Sequence, residues 1–107
     1  MDLRISKFFP EIVKRFTAAG PIRQIIVFGS HARGTSTADS DLDLLVIEKA
    51  VSSRHQEMVR LRRLLSDFDF PIDVLVVSEA EFNDRSDLPS NVYYWAKREG
   101  KIIYDAA

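Results

Sequence analysis

Three aspartates stand where strand-like segments of this chain should be apolar, and that placement constrains the fold more than any other feature. Asp41 and Asp43 alternate with Leu42, Leu44 and Val46, and residues two apart on a strand face the same side. Asp73 sits between Pro71-Ile72 and the apolar run Val74-Leu75-Val76-Val77. Three ionised carboxylates beside apolar strands repel one another and are poorly solvated. A stable arrangement needs a compensating charge, and one or two divalent cations supply it.

The rest of the pattern says how the three come together. Phe9, Ile12, Val13 and Phe16 have helical spacing, with Pro10 suited to a first turn and Gly20-Pro21 as the stop. Ile22 to Phe28 reads as a buried strand ending at Gly29, followed by a short helical turn near Ser30 to Arg33. A second strand is expected over Asp41 to Ile47. Ser53 and Gln56 form a capping box that opens a helix with Met58, Leu61, Leu64 and Leu65 on one side. After Pro71 a third strand runs from Ile72 to Val77, and Ser78 with Glu81 caps a short helix. Ser90 is expected to cap a last helix through Lys97, with Gly100 at its end and Lys101 to Tyr104 as a closing edge strand.

This order implies an α/β chain, or α+β with a mixed sheet, forming a single domain over residues 1–107. The stretch between the first two strands permits an antiparallel pair, and the helix before the third permits a parallel crossover. Gly29, Ser30, Asp41, Asp43 and Asp73 then converge at one edge of the sheet.

Composition removes several classes. The chain has 15 basic and 16 acidic residues, a net charge of −1, which is unlike a surface built to grip nucleic acid. No apolar run approaches the ~20 residues of a membrane span, and no signal-peptide pattern opens the sequence. Cysteine is absent, so thiolate metal ligands are excluded and a cytoplasmic setting is expected.

The converging residues suit phosphoryl-group chemistry. Mg²⁺ takes a few carboxylates together with phosphate oxygens and water. Two such ions about 3.5–4 Å apart hold the attacking and leaving oxygens of an in-line displacement. Gly29 lets a triphosphate approach the backbone, Ser30 offers a hydroxyl and an N–H, and Arg33 offsets phosphate charge. Each feature alone has a plain structural reading: Asp-x-Asp as a cap, Gly-Ser as a strand end, Asp73 as a turn after proline. Their combination favours a metal–phosphate site. His31 and His55 are expected to be solvated, and Arg54, Arg60, Arg62 and Arg63 to form a solvated helix face. Tyr93, Tyr94 and Trp95 are adjacent, so they cannot all pack inward, and part of that cluster suits an interface.

Phe28-Gly29-Ser30-His31-Ala32-Arg33-Gly34, then Ser40-Asp41-Leu42-Asp43-Leu44, resembles the minimal nucleotidyltransferases of the polymerase-beta superfamily. Their signature is Gly-Ser, a ten-residue spacer and Asp-x-Asp, and here His31 to Ser40 supply the spacer without a gap. Ile72-Asp73-Val74 is similar to the family's third carboxylate strand, and Arg98 to Tyr104 to its ending. The resemblance implies a nucleotidyltransferase fold with two Mg²⁺ ions and ATP as donor. Asp41, Asp43 and Asp73 would be catalytic metal ligands, and Gly29, Ser30, Arg33 and Ser40 would bind nucleotide. It also implies a small helical HEPN-family partner, often a toxin, with AMP placed on its tyrosine. The core elements account for nearly every residue, so the acceptor site is expected to involve a second chain, a homodimer or a protein acceptor. The competing readings are a binding module that neutralises a partner by occlusion and a small-molecule, aminoglycoside-type transferase subunit.

Overall fold

The structure, a computed structural model, describes residues 3–37 and 40–106. A short helix α1 (Leu3–Ser6) leads into α2 (Phe9–Ala19), which has Pro10 in its first turn. Strand β1 (Ile22–Phe28) runs directly into α3 (Gly29–Arg33), and a loop leads to β2 (Leu42–Glu48). Helix α4 (Arg54–Arg63) crosses to β3 (Ile72–Ser78), and α5 (Glu79–Arg85), α6 (Val92–Glu99) and β4 (Lys101–Asp105) complete the chain.

The four strands form one mixed sheet in the order β3-β2-β1-β4, with β1 antiparallel to both β2 and β4, and β2 parallel to β3. Alternation along the central strands divides the apolar side chains between two layers. Ile25, Val27, Leu44 and Val46 pack with Phe9, Ile12 and Phe16 of α2 and Leu61 of α4. Ile26, Leu45, Ile47 and Val77 face the other way, against Phe82 of α5 and Tyr93 and Ala96 of α6. Phe16, Ile12, Leu44 and Leu61 have no solvent exposure, and burying such a side chain contributes roughly 1.5–3 kcal/mol.

Both capping serines act as expected: Ser53 Oγ accepts from Gln56 N–H and Ser78 Oγ from Glu81 N–H. The last helix differs. Its cap is Asn91, not Ser90, and its Oδ1 accepts from the N–H groups of Tyr93 and Tyr94 while its amide donates to Arg85 and Leu88 carbonyls. An amide side chain accepts on its oxygen and donates two protons from its nitrogen, where a hydroxyl donates only one. β2 begins at Leu42, so Asp41 stands just before the strand.

Candidate active site

Strand pairing sets the site. Phe28, the last residue of β1, lies opposite Asp43 of β2, and Asp43 lies beside Asp73 of β3. In a parallel pair, neighbours in register project to the same face, so Asp43 and Asp73 share one side of the sheet. Asp41 is exposed at the approach to β2, where the Leu42 N–H donates to the Pro71 carbonyl (2.9 Å) and ties the starts of β2 and β3 together. Its negative charge acts on the carboxyl of Asp73.

Gly29 closes the fourth side. Its φ of +73° lies in the left-handed region, and a methyl group added there would fall on Asp43 Oδ2. Any other residue would be strained and would also displace the carboxylate. The chain then turns through α3, whose C-terminus is closed by Gly34 (φ +76°) with its N–H on the Ser30 carbonyl. Arg33 is exposed, and its charge acts on Asp43.

The carboxylates are short of positive partners. Burial, then the charges of Asp73 and Asp41, raise Asp43 above the ordinary aspartate range, and His31 and Arg33 oppose the shift. Burial, then the charge of Asp41, raise Asp73, opposed by Arg62. Hard oxygen donors that repel one another fit a hard divalent cation. Among the described residues no three carboxylate or imidazole side chains close into a preformed metal cage.

One side chain differs from expectation. His31 is not solvated: it is 2% exposed, and its Nε2 lies 3.2 Å from the Ser40 carbonyl, which can only accept. Nε2 therefore carries the proton, while Nδ1 is buried without a partner. His31 thus joins α3 to the residue just before Asp41. The Ser40 hydroxyl is turned into its own loop, accepting from the Thr37 N–H (2.9 Å) and lying 3.3 Å from the Thr37 hydroxyl. A cavity of about 340 Å³ bounded by Arg23, Glu79, Phe82 and Ile102 lies at the opposite ends of these strands, away from the carboxylates.

A family model described as nucleotidyltransferase domain matches residues 5–105. The chain belongs to the nucleotidyltransferase family. A candidate protein adenylyltransferase of Methanocaldococcus jannaschii is 31% identical over 85 residues, covering 79% of this chain and 81% of the relative. A candidate nucleotidyltransferase from Sulfolobus solfataricus shares the fold at a TM-score of 0.71 and 23% identity, over 97% of this chain and 83% of that one. A tri-AMPylated Shewanella oneidensis HEPN toxin in complex with its MNT antitoxin also contains the fold, at a TM-score of 0.58 and 18% identity over 94% of this chain and 72% of that one. The nucleotidyltransferase is thus an enzyme with a mixed four-stranded sheet flanked by helices. Among its described residues no helix is long and apolar enough to cross a membrane.

Proposed function

We propose that this nucleotidyltransferase uses magnesium to transfer AMP from ATP to a hydroxyl of a partner protein, and that the acceptor is a tyrosine of a HEPN-type toxin. The observation that carries the reading is the register that sets Phe28, Asp43 and Asp73 side by side beneath Gly29. In this reading Asp41, Asp43 and Asp73 hold the metal, which supplies positive charge for triphosphate oxygens. Gly29 admits the triphosphate to the backbone, and the free N–H groups of the first turn of α3 and Arg33 face its negative oxygens. Ser30 lies on that turn, and Ser40, whose hydroxyl accepts from the Thr37 N–H, stands just before Asp41. Asp73, exposed near the start of edge strand β3, stands on the side from which an acceptor hydroxyl can arrive. The protein acceptor is supported by the Methanocaldococcus jannaschii relative, and the toxin partner by the likeness to the solved antitoxin complex. A cytoplasmic setting accords with the cysteine-free sequence.

The test is transfer of label from α-labelled ATP to a co-expressed HEPN partner. Asp43→Asn is expected to lower transfer by a factor of at least ~10², the scale of losing one electrostatic contact to the reacting group. Unchanged transfer by that variant would rule the assignment out. A second reading, neutralisation by occlusion, draws on the exposed Leu88, Val92 and Trp95, a patch suited to a protein interface. It requires Asp43→Asn to neutralise the toxin as well as the unaltered chain does.

A further inference from the structure

The four arginines of α4 divide into two kinds. Arg54 pairs with Glu81, and Arg60 donates to both oxygens of Glu57 (2.7 Å each) and to the Ala19 carbonyl (3.0 Å). Arg62 and Arg63 are exposed, and among the described residues neither has a carboxylate within ion-pair distance. His55, Met58, Val59 and Arg62 recur at spacings of three and four, so they share one helix face. That face borders a groove of about 290 Å³ whose other wall is Asp73 and Val74 of β3, with Arg63 at its rim. A second concavity, about 500 Å³, shares His55, Val59 and Arg63 and continues the groove along α4.

We infer that this groove is where the acceptor docks, and that its occupant is a partner-protein segment carrying the acceptor hydroxyl side chain among acidic residues. The inference rests on the proposed transfer reaction and names which side of the site receives the acceptor. The groove runs into Asp73, one of the three carboxylates at the sheet edge, so a side chain lying in it ends beside them. Its floor is apolar, formed by the half-buried Met58 and Val59 and by Val74, which suits an aromatic ring. Its rim carries two guanidiniums that lie beyond ion-pair distance of every described carboxylate, beside a carboxylate cluster that repels acidic chains. Placing free cations there favours a negatively charged segment over a neutral one. It also keeps the segment's acidic residues on α4, away from Asp41 and Asp43. A polynucleotide acceptor fits less well, because it needs a longer run of phosphate contacts than two arginines provide.

The test uses synthetic peptides with a central tyrosine, flanked by aspartate and glutamate in one and by lysine in the other. Versions with phenylalanine at the centre report docking without reaction, by fluorescence anisotropy. The nucleotidyltransferase is expected to bind the acidic phenylalanine peptide on the order of tenfold more tightly than the basic one, as two rim charges allow. The double variant Arg62→Glu/Arg63→Glu should reverse that order, and Arg62→Lys/Arg63→Lys should restore it. Circular dichroism verifies that each variant is folded. Equal affinity for the two peptides, or no reversal, overturns the inference. So does an oligoribonucleotide that binds more tightly than the acidic peptide with the same dependence on Arg62 and Arg63. Transfer of AMP is read separately on the tyrosine peptides. A preserved charge preference without any transfer upholds the docking inference and overturns the transfer reading instead.

Discussion

Gly29 carries two constraints at once, a left-handed φ and the carboxylate of Asp43 against its α-carbon. A non-glycine residue in that conformation costs about 1–3 kcal/mol, and the added methyl would also push Asp43 from its place. Gly29→Ala is therefore expected to lower stability by at least that range in urea denaturation and to lose AMP transfer. A variant that keeps full activity would show that Asp43 need not stay beneath the turn. His31 acts at one remove, since its Nε2–H holds the Ser40 carbonyl and so the chain entering Asp41. His31→Ala should cost about 1–3 kcal/mol, the range for a lost buried hydrogen bond, and should weaken transfer more than His31→Gln, whose amide can still donate. The aspartates and Gly29 were readable in the sequence because strand alternation and an invitation to bend are local properties. The burial of His31 was not, because it depends on a carbonyl nine residues away. Nor was the division among the α4 arginines, which is settled by Glu81 and by Ala19, far along the chain.

Among the elements, topology was the most legible part. A helix between the second and third strands permits a parallel crossover, and the connection before Asp41 permits an antiparallel pair; both are observed. Ends were less legible: β2 starts one residue later than alternation suggested, and Asn91 displaces Ser90 as a cap. Neither shift scatters the three aspartates, because the bond from Leu42 to Pro71 fixes the approach to β2 as firmly as a strand would. The other end of β2 holds a feature that no pattern announced. Glu48 is 6% exposed, with Oε2 buried and unpartnered, and it shares a hydrogen bond with Glu57 of α4. Burial, that bond and the charge of Glu57 raise Glu48 to about 8, while Arg60 and Glu48 hold Glu57 low. The folded protein thus retains on Glu48 a proton that the unfolded chain releases near its ordinary value of about 4.3. Stability contributed by the neutral carboxyl is fully present below that value and is lost as pH rises toward about 8. Glu48→Gln, which stays neutral, should flatten this decline, so its advantage over the unaltered chain grows from pH about 5 to about 8 in denaturant titrations. An advantage that shrinks over that range would mean Glu48 is ionised in the fold.

For the whole molecule, the carboxylate edge sets binding against the stability of the free protein. Asp43 and Asp73 are both displaced upward by burial and by neighbouring negative charge, with His31, Arg33 and Arg62 opposing. Removing one charge relieves that repulsion, so Asp43→Asn is expected to melt at a higher temperature than the unaltered nucleotidyltransferase when both are free of ligand. Function-bearing charges often carry such a cost to stability. With ATP and magnesium present the order should invert. A ligand at a hundred times its dissociation constant adds about 2.7 kcal/mol to the folded state, which for a chain of this size is a rise on the order of 10 °C. The unaltered protein should show that rise and lose most of it on addition of EDTA, whereas Asp43→Asn should show little in either condition. Differential scanning fluorimetry across the four combinations reads both halves. If Asp43→Asn melts lower than the unaltered chain without ligand, the edge is held by favourable partners and is not an unpaired cluster awaiting a cation. If both proteins gain equally from magnesium and ATP, the nucleotide binds elsewhere, and the convergence of Gly29, Asp41, Asp43 and Asp73 serves the fold alone.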